Sequence, residues 1–581
     1  MFSFSWNILG DLSFEQLQKY VGVFLPELQA KTRAEKKTLL QEYLRDADLT
    51  PFKEHFATQL LRITGLDSAV PEVYAEFRPV ITDGVRFLLS RIKAGRLKEI
   101  CIEQLLLSTN ASPEERLFHL AAGLPTLYKL GQIVARNRHL DPRVREWLER
   151  LENGYITADL PTLVRTLNTE LAPFRGDYEW ELEDQLLSEA SVGAVLGLRW
   201  RRRGERECQR GVVKLLKPGV KEHLGEELSL LQELGEYFET RRTQYGLDEF
   251  PFRGTIQDIA EALRRETDFS QEQRHLRIAR RSLGKAARVA IPDLLPFCTS
   301  QVTAMQRIEG TKLDRNHLSP PERGHLAEKL FQAVIGYTFF ADEDSPLFHG
   351  DLHAGNMMTV SPGTAEMPVL ALIDWSQAGQ LTRSQRELLL QAAIGVFLKD
   401  PGRLTRAFEA LAEPDQNSHP TFRSRLAGVI ERELQGKKPG EMIVIRKLFS
   451  ICDALIREGV KFPRDLLLFR KTVFSFFDVV ESLAPDFDAD RQLLVYLTPL
   501  ITREVGPRAL ESFLPGFTPQ GGYQTLLPTP DLLQIGVSAG LALWRRQTLV
   551  SCDWWSKALM GTTPAPTGAP HPSSPHTGTA E

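Results

Sequence analysis

The segment His349-Gly350-Asp351-Leu352-His353-Ala354-Gly355-Asn356 sets an aspartate five residues before an asparagine, and Asp374 follows Asn356 by eighteen residues at the end of an apolar run. One such loop lets the aspartate hold a nucleophile's proton while the asparagine reaches a magnesium ion, and the later aspartate supplies a second metal contact. An isolated carboxylate is ordinarily a solvated surface group. Two carboxylates and an amide at strand ends instead suit a hard, oxygen-seeking cation that takes few protein ligands and is completed by substrate phosphates. The intervening residues must place them. Met357 to Val360 reads as a strand, Ser361-Pro362-Gly363-Thr364 as a turn, and Val369 to Ile373 as a second strand that delivers Asp374 beside Asn356.

Such a site demands a lysine on an earlier strand, and Gly211-Val212-Val213-Lys214-Leu215-Leu216 offers one, with Lys214 projecting toward the phosphates. A lone lysine in such a run more often faces solvent, so the assignment rests on Asp351, Asn356 and Asp374. The preceding loop lacks the expected glycines and reads Ser188-Glu189-Ala190-Ser191-Val192-Gly193-Ala194. Glycine lets the backbone approach phosphates closely and take positive φ, which alanine and serine largely do not, so nucleotide is expected to be held differently. After Asp374, Trp375-Ser376 stands where a protein kinase carries Phe-Gly, and a helix is expected by about Ser384. No long activation segment fits, and with it goes the most obvious platform for a protein substrate.

Upstream lies Leu124-Pro125-Thr126-Leu127-Tyr128-Lys129-Leu130-Gly131-Gln132-Ile133. It resembles the KxGQ signature of the UbiB/ADCK atypical kinase-like proteins (AarF type). The loop at Ser188 to Ser191 is similar to that family's Ala-rich replacement for the glycine loop, and Glu266-Thr267-Asp268-Phe269 with Glu272 resembles its ExD motif. Further similar stretches are Lys214-Leu215-Leu216-Lys217-Pro218-Gly219, Arg307-Ile308-Glu309-Gly310 at the expected interlobe hinge, and Glu481 to Phe487. The resemblance covers roughly residues 116 to 490.

The resemblance implies an α+β, protein-kinase-like two-lobed fold with extra N-terminal and KxGQ helices, mostly helical overall. It implies that Lys214 contacts the α/β phosphates and pairs with Glu266 or Glu272, that Asp351 is the catalytic-loop aspartate, and that Asn356 and Asp374 bind Mg2+. Ser188, Ala190 and Ser191 then border the nucleotide, ATP or ADP. Lys129 and Gln132, three apart on one helical face, reach back over the active site. In the family the KxGQ helix is thought to disfavour phosphorylation of proteins, in keeping with the missing activation segment. Ser188-Glu189 where the family tends to carry alanines brings a polar group and a negative charge near the phosphates, weakening ATP binding or altering ATP versus ADP preference.

The 581 residues suffice for two or more domains, and 71 basic against 75 acidic residues give a formal charge of −4, without support for general nucleic-acid binding. Arg199, Arg201, Arg202 and Arg203 are expected to cap an exposed β-hairpin, with polyanion binding as the sharper reading. Five dispersed cysteines, Cys101, Cys208, Cys298, Cys452 and Cys552, suggest a reducing compartment and carry no zinc spacing. Without a targeting pattern at the N-terminus, the sequence reads as cytoplasmic, with a peripheral location at the inner face of the membrane as an extension.

The organisation expected is an N-terminal helical extension (1–115), a KxGQ helical segment (116–175), a kinase-like N-lobe (176–313), a helical C-lobe (314–520), a C-terminal helix (521–560) and a disordered tail (561–581). Ser13 with Gln16 reads as a capping box, and Phe14, Leu17, Val21 and Phe24 share one helical face. Beyond Asp374, helices are expected near 384–399, 402–412, 420–434, 440–458 and 464–483. Leu532 to Trp544 is apolar for only thirteen residues, short of the roughly twenty a membrane span needs. It reads as packed on the large lobe, or as lying at a bilayer surface with Trp554-Trp555.

By resemblance the chain binds Mg-nucleotide, hydrolyses ATP and supports ubiquinone or another isoprenoid-lipid pathway, with an isoprenoid lipid, a membrane surface or lipid-biosynthesis proteins as partners. Two other readings compete. HGDLHxGN and Ile373-Asp374-Trp375 suggest a small-molecule phosphotransferase of the aminoglycoside or choline kinase type, which lacks KxGQ. The altered Ser188 loop suggests a nucleotide-sensing scaffold with little turnover.

Overall fold

Alternation of apolar residues along 193–216 builds the sheet that carries the lysine. A computed structural model describes residues 13–24, 31–45, 47–70, 72–127, 160–189, 192–248, 250–361, 366–416, 421–435 and 444–493. Lys129, Gln132, Ala190 and Ser191, part of the 361–364 turn and everything expected beyond residue 493 lie outside them. The structure is kinase-like, mixed α+β and mostly helical. It divides into two units, residues 1–313 with 354–378, and residues 314–353 with 379–581.

In the first unit, β1 (Tyr178–Glu189), β2 (Gly193–Arg202), β3 (Gln209–Leu216) and β4 (Val302–Gln306) form an antiparallel sheet in sequence order. Ala194, Leu196 and Leu198 of β2 and Val213 and Leu215 of β3 bury one face against Leu163, Leu167 and Leu171 from the helical stretch before the sheet. A fully buried leucine such as Leu196 contributes roughly 1.5–3 kcal/mol relative to exposure. Side chains alternate across a strand, so burying Val213 and Leu215 on one face commits Lys214 to the other.

Two expectations change here. Ser188 and Glu189 are not loop residues: they end β1, paired with Val195 and Ala194, because bulges between Leu182 and Ser188 realign the strand and let cross-strand bonding run on. The arginine-rich hairpin tip is exposed as expected, but Arg201 bonds Glu179 across the strands through Nε and Nη2 at 2.8 and 2.6 Å, which meets part of its charge.

A second sheet joins β5 (Thr311–Lys312), β7 (Met357–Val360) and β8 (Val369–Leu372), with Met357 opposite Leu372; β6 (Leu347–His349) precedes the Asp351 loop. Gly310 enters β5 so close to Thr359 that a Cβ there would stand 2.5 Å from its carbonyl oxygen, which is why this turn takes glycine.

Ahead of the sheet, helices between Phe14 and Ala122 share a hydrophobic core. Ser13 and Gln16 form the expected capping pair, and Phe14 is buried in that core; the side chains of Val21 and Phe24 lie outside the described residues. This bundle is tied to the helix Val220–Glu239 by a buried charge hub. Arg96 is paired with Glu227 and Glu226 and donates to the carbonyls of Gly123 (2.9 Å) and His223 (3.1 Å), while Glu227 accepts from the Thr126 N–H (2.7 Å).

In the second unit the helices Arg383–Leu398, Pro401–Leu411, Phe422–Leu434, Val444–Arg457 and Arg464–Leu483 match the expected segments where they are described. Thr382 and Gln385 form a capping box at the first of them. Arg386, 1 % exposed, donates to the carbonyls of Phe339, Ala341 and Glu343, satisfying acceptors left open where the preceding helix ends. Among the described residues no helix is long and apolar enough to cross a membrane.

The hub yields the first prediction. Arg96→Met leaves Glu227 buried with its partner gone, at a cost of about 3–5 kcal/mol, whereas exposed Arg33→Met, which loses only a surface pair, costs less than about 1 kcal/mol. Urea midpoints of the two variants against wild type check the difference.

Candidate active site

Lys214 is 8 % exposed on β3, and its Nζ lies 2.9 Å from Glu272 Oε1 and 3.3 Å from both carboxylate oxygens of Asp374. The glutamate reaches it from the helix Phe269–Arg281. That helix starts where Asp268 accepts from the Gln271 N–H (3.0 Å), and Glu272 falls in its first turn. Phe269, on the same turn, places its ring centroid 5.4 Å from the ammonium. Of the two carboxylates sequence left open, Glu272 is therefore the partner of Lys214. Glu266 is the last residue of the preceding helix, Phe252–Glu266, on the other side of the Thr267-Asp268 break.

One ammonium thus stands between two carboxylates. Burial alone would pull the Lys214 pKa down, but Asp374 and Glu272 outweigh it and hold it above the ordinary lysine value. Burial pushes the Glu272 carboxyl up, against the pull of Lys214, and its Oε2 is buried without a hydrogen-bond partner. Removing two charges from water offsets much of what their attraction returns, so the pair by itself is weak evidence of net stability.

Asp374 takes φ +58°, the left-handed region that a non-glycine residue rarely occupies. The residues replacing Phe-Gly hold it there. Ser376 donates to Oδ1 through its N–H (3.2 Å) and Oγ (2.6 Å), and Trp375, wholly buried, donates from Nε1 to the Leu372 carbonyl (3.3 Å). His275 Nδ1 lies 2.9 Å from the Trp375 carbonyl, which makes it the donor, so the helix bearing Glu272 is also bonded to the turn bearing Asp374. Sequence reasoning missed His275; a histidine three residues after the glutamate, on the same helical face, was the available signal.

Asn356 is 9 % exposed, and its carbonyl accepts from the Ile373 N–H at 3.0 Å, extending the β7–β8 register by one pair. The amide and the carboxylate therefore sit at the ends of two bonded strands, as the sequence expects. As a metal site they fit Mg2+: both are hard oxygen donors, two in number, and the Asp374 side chain keeps 38 % exposure for a cation that arrives with waters and phosphates. Mg2+ held there would neutralise charge on the phosphates.

Asp351 belongs to the second unit, where its side chain is 15 % exposed. Its N–H donates to His349 Nδ1 (3.1 Å), and Lys471 Nζ donates to its Oδ1 at 2.9 Å. The sequence did not single out Lys471, 120 residues downstream on the helix Arg464–Leu483, because nothing in a helical lysine marks the loop it will meet. Ser188 is exposed at the end of β1.

Comparison with known proteins matches residues 180–408 to the ABC1 atypical kinase-like domain, a span that contains Lys214, Glu272, Asp351, Asn356 and Asp374. The chain is 26 % identical over 300 residues to an uncharacterised aarF domain-containing protein kinase, chloroplastic, of Arabidopsis thaliana, covering 49 % of this chain and about half, 51 %, of that protein. It is 23 % identical over 389 residues to a probable protein kinase UbiB of Histophilus somni, covering 66 % of this chain and 70 % of the relative. A probable protein kinase UbiB of Pseudomonas fluorescens is 24 % identical over 402 residues, 66 % of this chain and 71 % of its own.

The charge arrangement predicts how stability depends on pH. Lys214→Met leaves Glu272 buried with no cation, so the folded state favours its protonated form more than the unfolded state does. A group with its folded pKa raised is least costly below its unfolded value and becomes costlier as pH rises through the folded one. The variant should therefore melt well below wild type at neutral pH, with the deficit shrinking as pH falls toward 4.5, the ordinary value for glutamate. Melting curves from pH 4.5 to 8 test this, and a deficit independent of pH refutes it.

Proposed function

Because the chain belongs to the UbiB/ADCK family of atypical kinase-like proteins, we propose that it binds Mg-ATP and hydrolyses it in support of ubiquinone or other isoprenoid-lipid metabolism. The observation that carries this is the buried Lys214 held between Glu272 and Asp374. A lysine fixed this way is a preorganised positive charge beside a phosphate site, and it costs no reorganisation when charge develops on the transferring group. Asn356 and Asp374 hold the magnesium ion. Asp351 orients a water or a substrate hydroxyl, and Lys214 meets the α/β phosphates. Ser188, Ala190 and Ser191 border the nucleotide, and Lys129 and Gln132 cover the site.

The stretch after Asp374 supports a non-protein acceptor. Trp375 is buried, Ser376 is bonded back to Asp374, and the helix Arg383–Leu398 begins nine residues after the aspartate. So short a connection leaves no room for the segment on which protein kinases lay out a peptide. The partners that follow are nucleotide together with an isoprenoid lipid, a membrane surface or lipid-biosynthesis proteins, and the place of action is cytoplasmic or peripheral at the inner membrane face.

Magnesium-dependent ATP hydrolysis by the purified protein, with and without anionic-lipid vesicles, tests this reading. Turnover that rises with vesicles and falls at least about a hundredfold in Asp374→Asn is the expected result. Nucleotide-dependent thermal stabilisation without turnover in any condition would favour a sensing scaffold. Faster consumption of ATP with a small hydroxylated or amino substrate, but not with lipid, would favour the small-molecule phosphotransferase.

A further inference from the structure

Two consecutive residues of the helix Arg464–Leu483 grip the loop that carries Asp351. Lys471 Nζ donates to Asp351 Oδ1 at 2.9 Å, and the Thr472 hydroxyl is shared between the His349 carbonyl and its own helix's Leu468 carbonyl, each 3.0 Å from Oγ1. The contact is built rather than incidental. Leu468, one turn earlier, would stand 3.1 Å from a Cβ at Gly379, and Phe348 only 2.5 Å, so glycine there lets strand and helix close on each other. Phe469 packs edge-on against Phe348 with centroids 5.0 Å apart. Leu468, Lys471 and Thr472 are spaced i, i+3, i+4 and so share one helical face. The loop's own imidazole stands farther off: His353 Nε2 lies 3.7 Å from Asp351 Oδ2, beyond hydrogen-bond reach. Lys471 also lies outside the span 180–408 that matches the kinase-like domain.

Resting on the reading of Asp351 as the residue that orients the nucleophile, we propose that Lys471 is the positioning residue for Asp351. A carboxylate on a loop rotates about χ2 among many orientations, and a charge-assisted bond to one oxygen selects among them. With Oδ1 fixed by Lys471 and the loop backbone fixed by Thr472, the carboxylate presents Oδ2 in one direction. A general base works only within hydrogen-bond reach of the proton it handles, so this constraint acts on turnover and not on nucleotide affinity. The ammonium side chain is 37 % exposed, so its loss does not open the core.

The test uses the full-length protein as wild type, Lys471→Met, Lys471→Arg, Asp351→Asn and the double variant Asp351→Asn/Lys471→Met. Steady-state Mg-ATP hydrolysis is measured together with nucleotide-induced thermal shifts. Lys471→Met is expected to lower kcat by about 10–100-fold while KM for ATP and the thermal shift stay within about twofold. Lys471→Arg should recover most of the rate. On the Asp351→Asn background the lysine substitution should change kcat by less than about twofold, since a residue acting through Asp351 has nothing left to act on. Wild-type turnover in Lys471→Met overturns the inference. So does joint loss of nucleotide binding and kcat that arginine does not restore, or full additivity in the double variant. Failure of the wild type itself to hydrolyse Mg-ATP defeats the functional reading and the inference with it, which separates that case from failure of the variants alone.

Discussion

The arrangement of the first unit's site depends on keeping one nearly buried ammonium ion charged. Lys214 sits on a strand whose other face is filled by leucine and valine, so its side chain has nowhere to go but toward the helix bearing Glu272. Burial works against the charge, and two carboxylates work for it. Each carboxylate comes from a different element, and each element is in turn held to the others. Asp268 caps the Glu272 helix, His275 of that helix bonds the turn after Asp374, and Ile373 bonds Asn356 across two strands. A buried pair of this kind returns little net stability, and here it joins three elements in one geometry.

Charge is also buried or half-buried at two further contacts that hold segments near the site's elements. Arg96 gathers two carbonyls and two carboxylates, and one of those carboxylates caps the Thr126 N–H. Thr126 lies three residues before Lys129 in the sequence, so the hub holds the chain just ahead of the KxGQ motif. In the second unit Lys471 and Thr472 hold the Asp351 loop from a single helix face. Arg96 supplies several directional bonds at once, whereas the Asp351 loop is held by two neighbouring side chains, Lys471 and Thr472. Such a loop has no ladder of its own to keep it in place.

The periodic elements were legible in the sequence, and the reason is physical. The β7 and β8 strands, the Lys214 strand and the helices after Asp374 announce themselves because burial of one face imposes a period of two or 3.6 on the residue types. The Asn356 and Asp374 placement was legible because two bonded strands joined by a short turn bring their outer ends together. What remained hidden were contacts between segments distant in sequence. The choice of Glu272 over Glu266 turned on where one helix ends and the next is capped, and that break depends on Asp268 accepting a backbone N–H. His275 and Lys471 look like ordinary helical polar residues until the turn or loop they meet is known. Ser188 and Glu189 were read as loop residues because they stand where a kinase-like sequence carries its phosphate loop, but they pair with β2 across bulges in β1.

The substitution of Trp375-Ser376 for Phe-Gly has a structural logic that bears on what the site can do. In a glycine version of this turn the backbone would take positive φ freely and the aspartate would move with it. Here Asp374 itself takes the positive φ, the buried tryptophan anchors the next residue, and Ser376 clamps Oδ1 through two bonds. Each of these removes a degree of freedom from the carboxylate. Protein kinases switch by letting this aspartate and its neighbours rearrange with a long, mobile segment. Here the aspartate is held by Ser376 and followed by a buried tryptophan, and a helix resumes nine residues later.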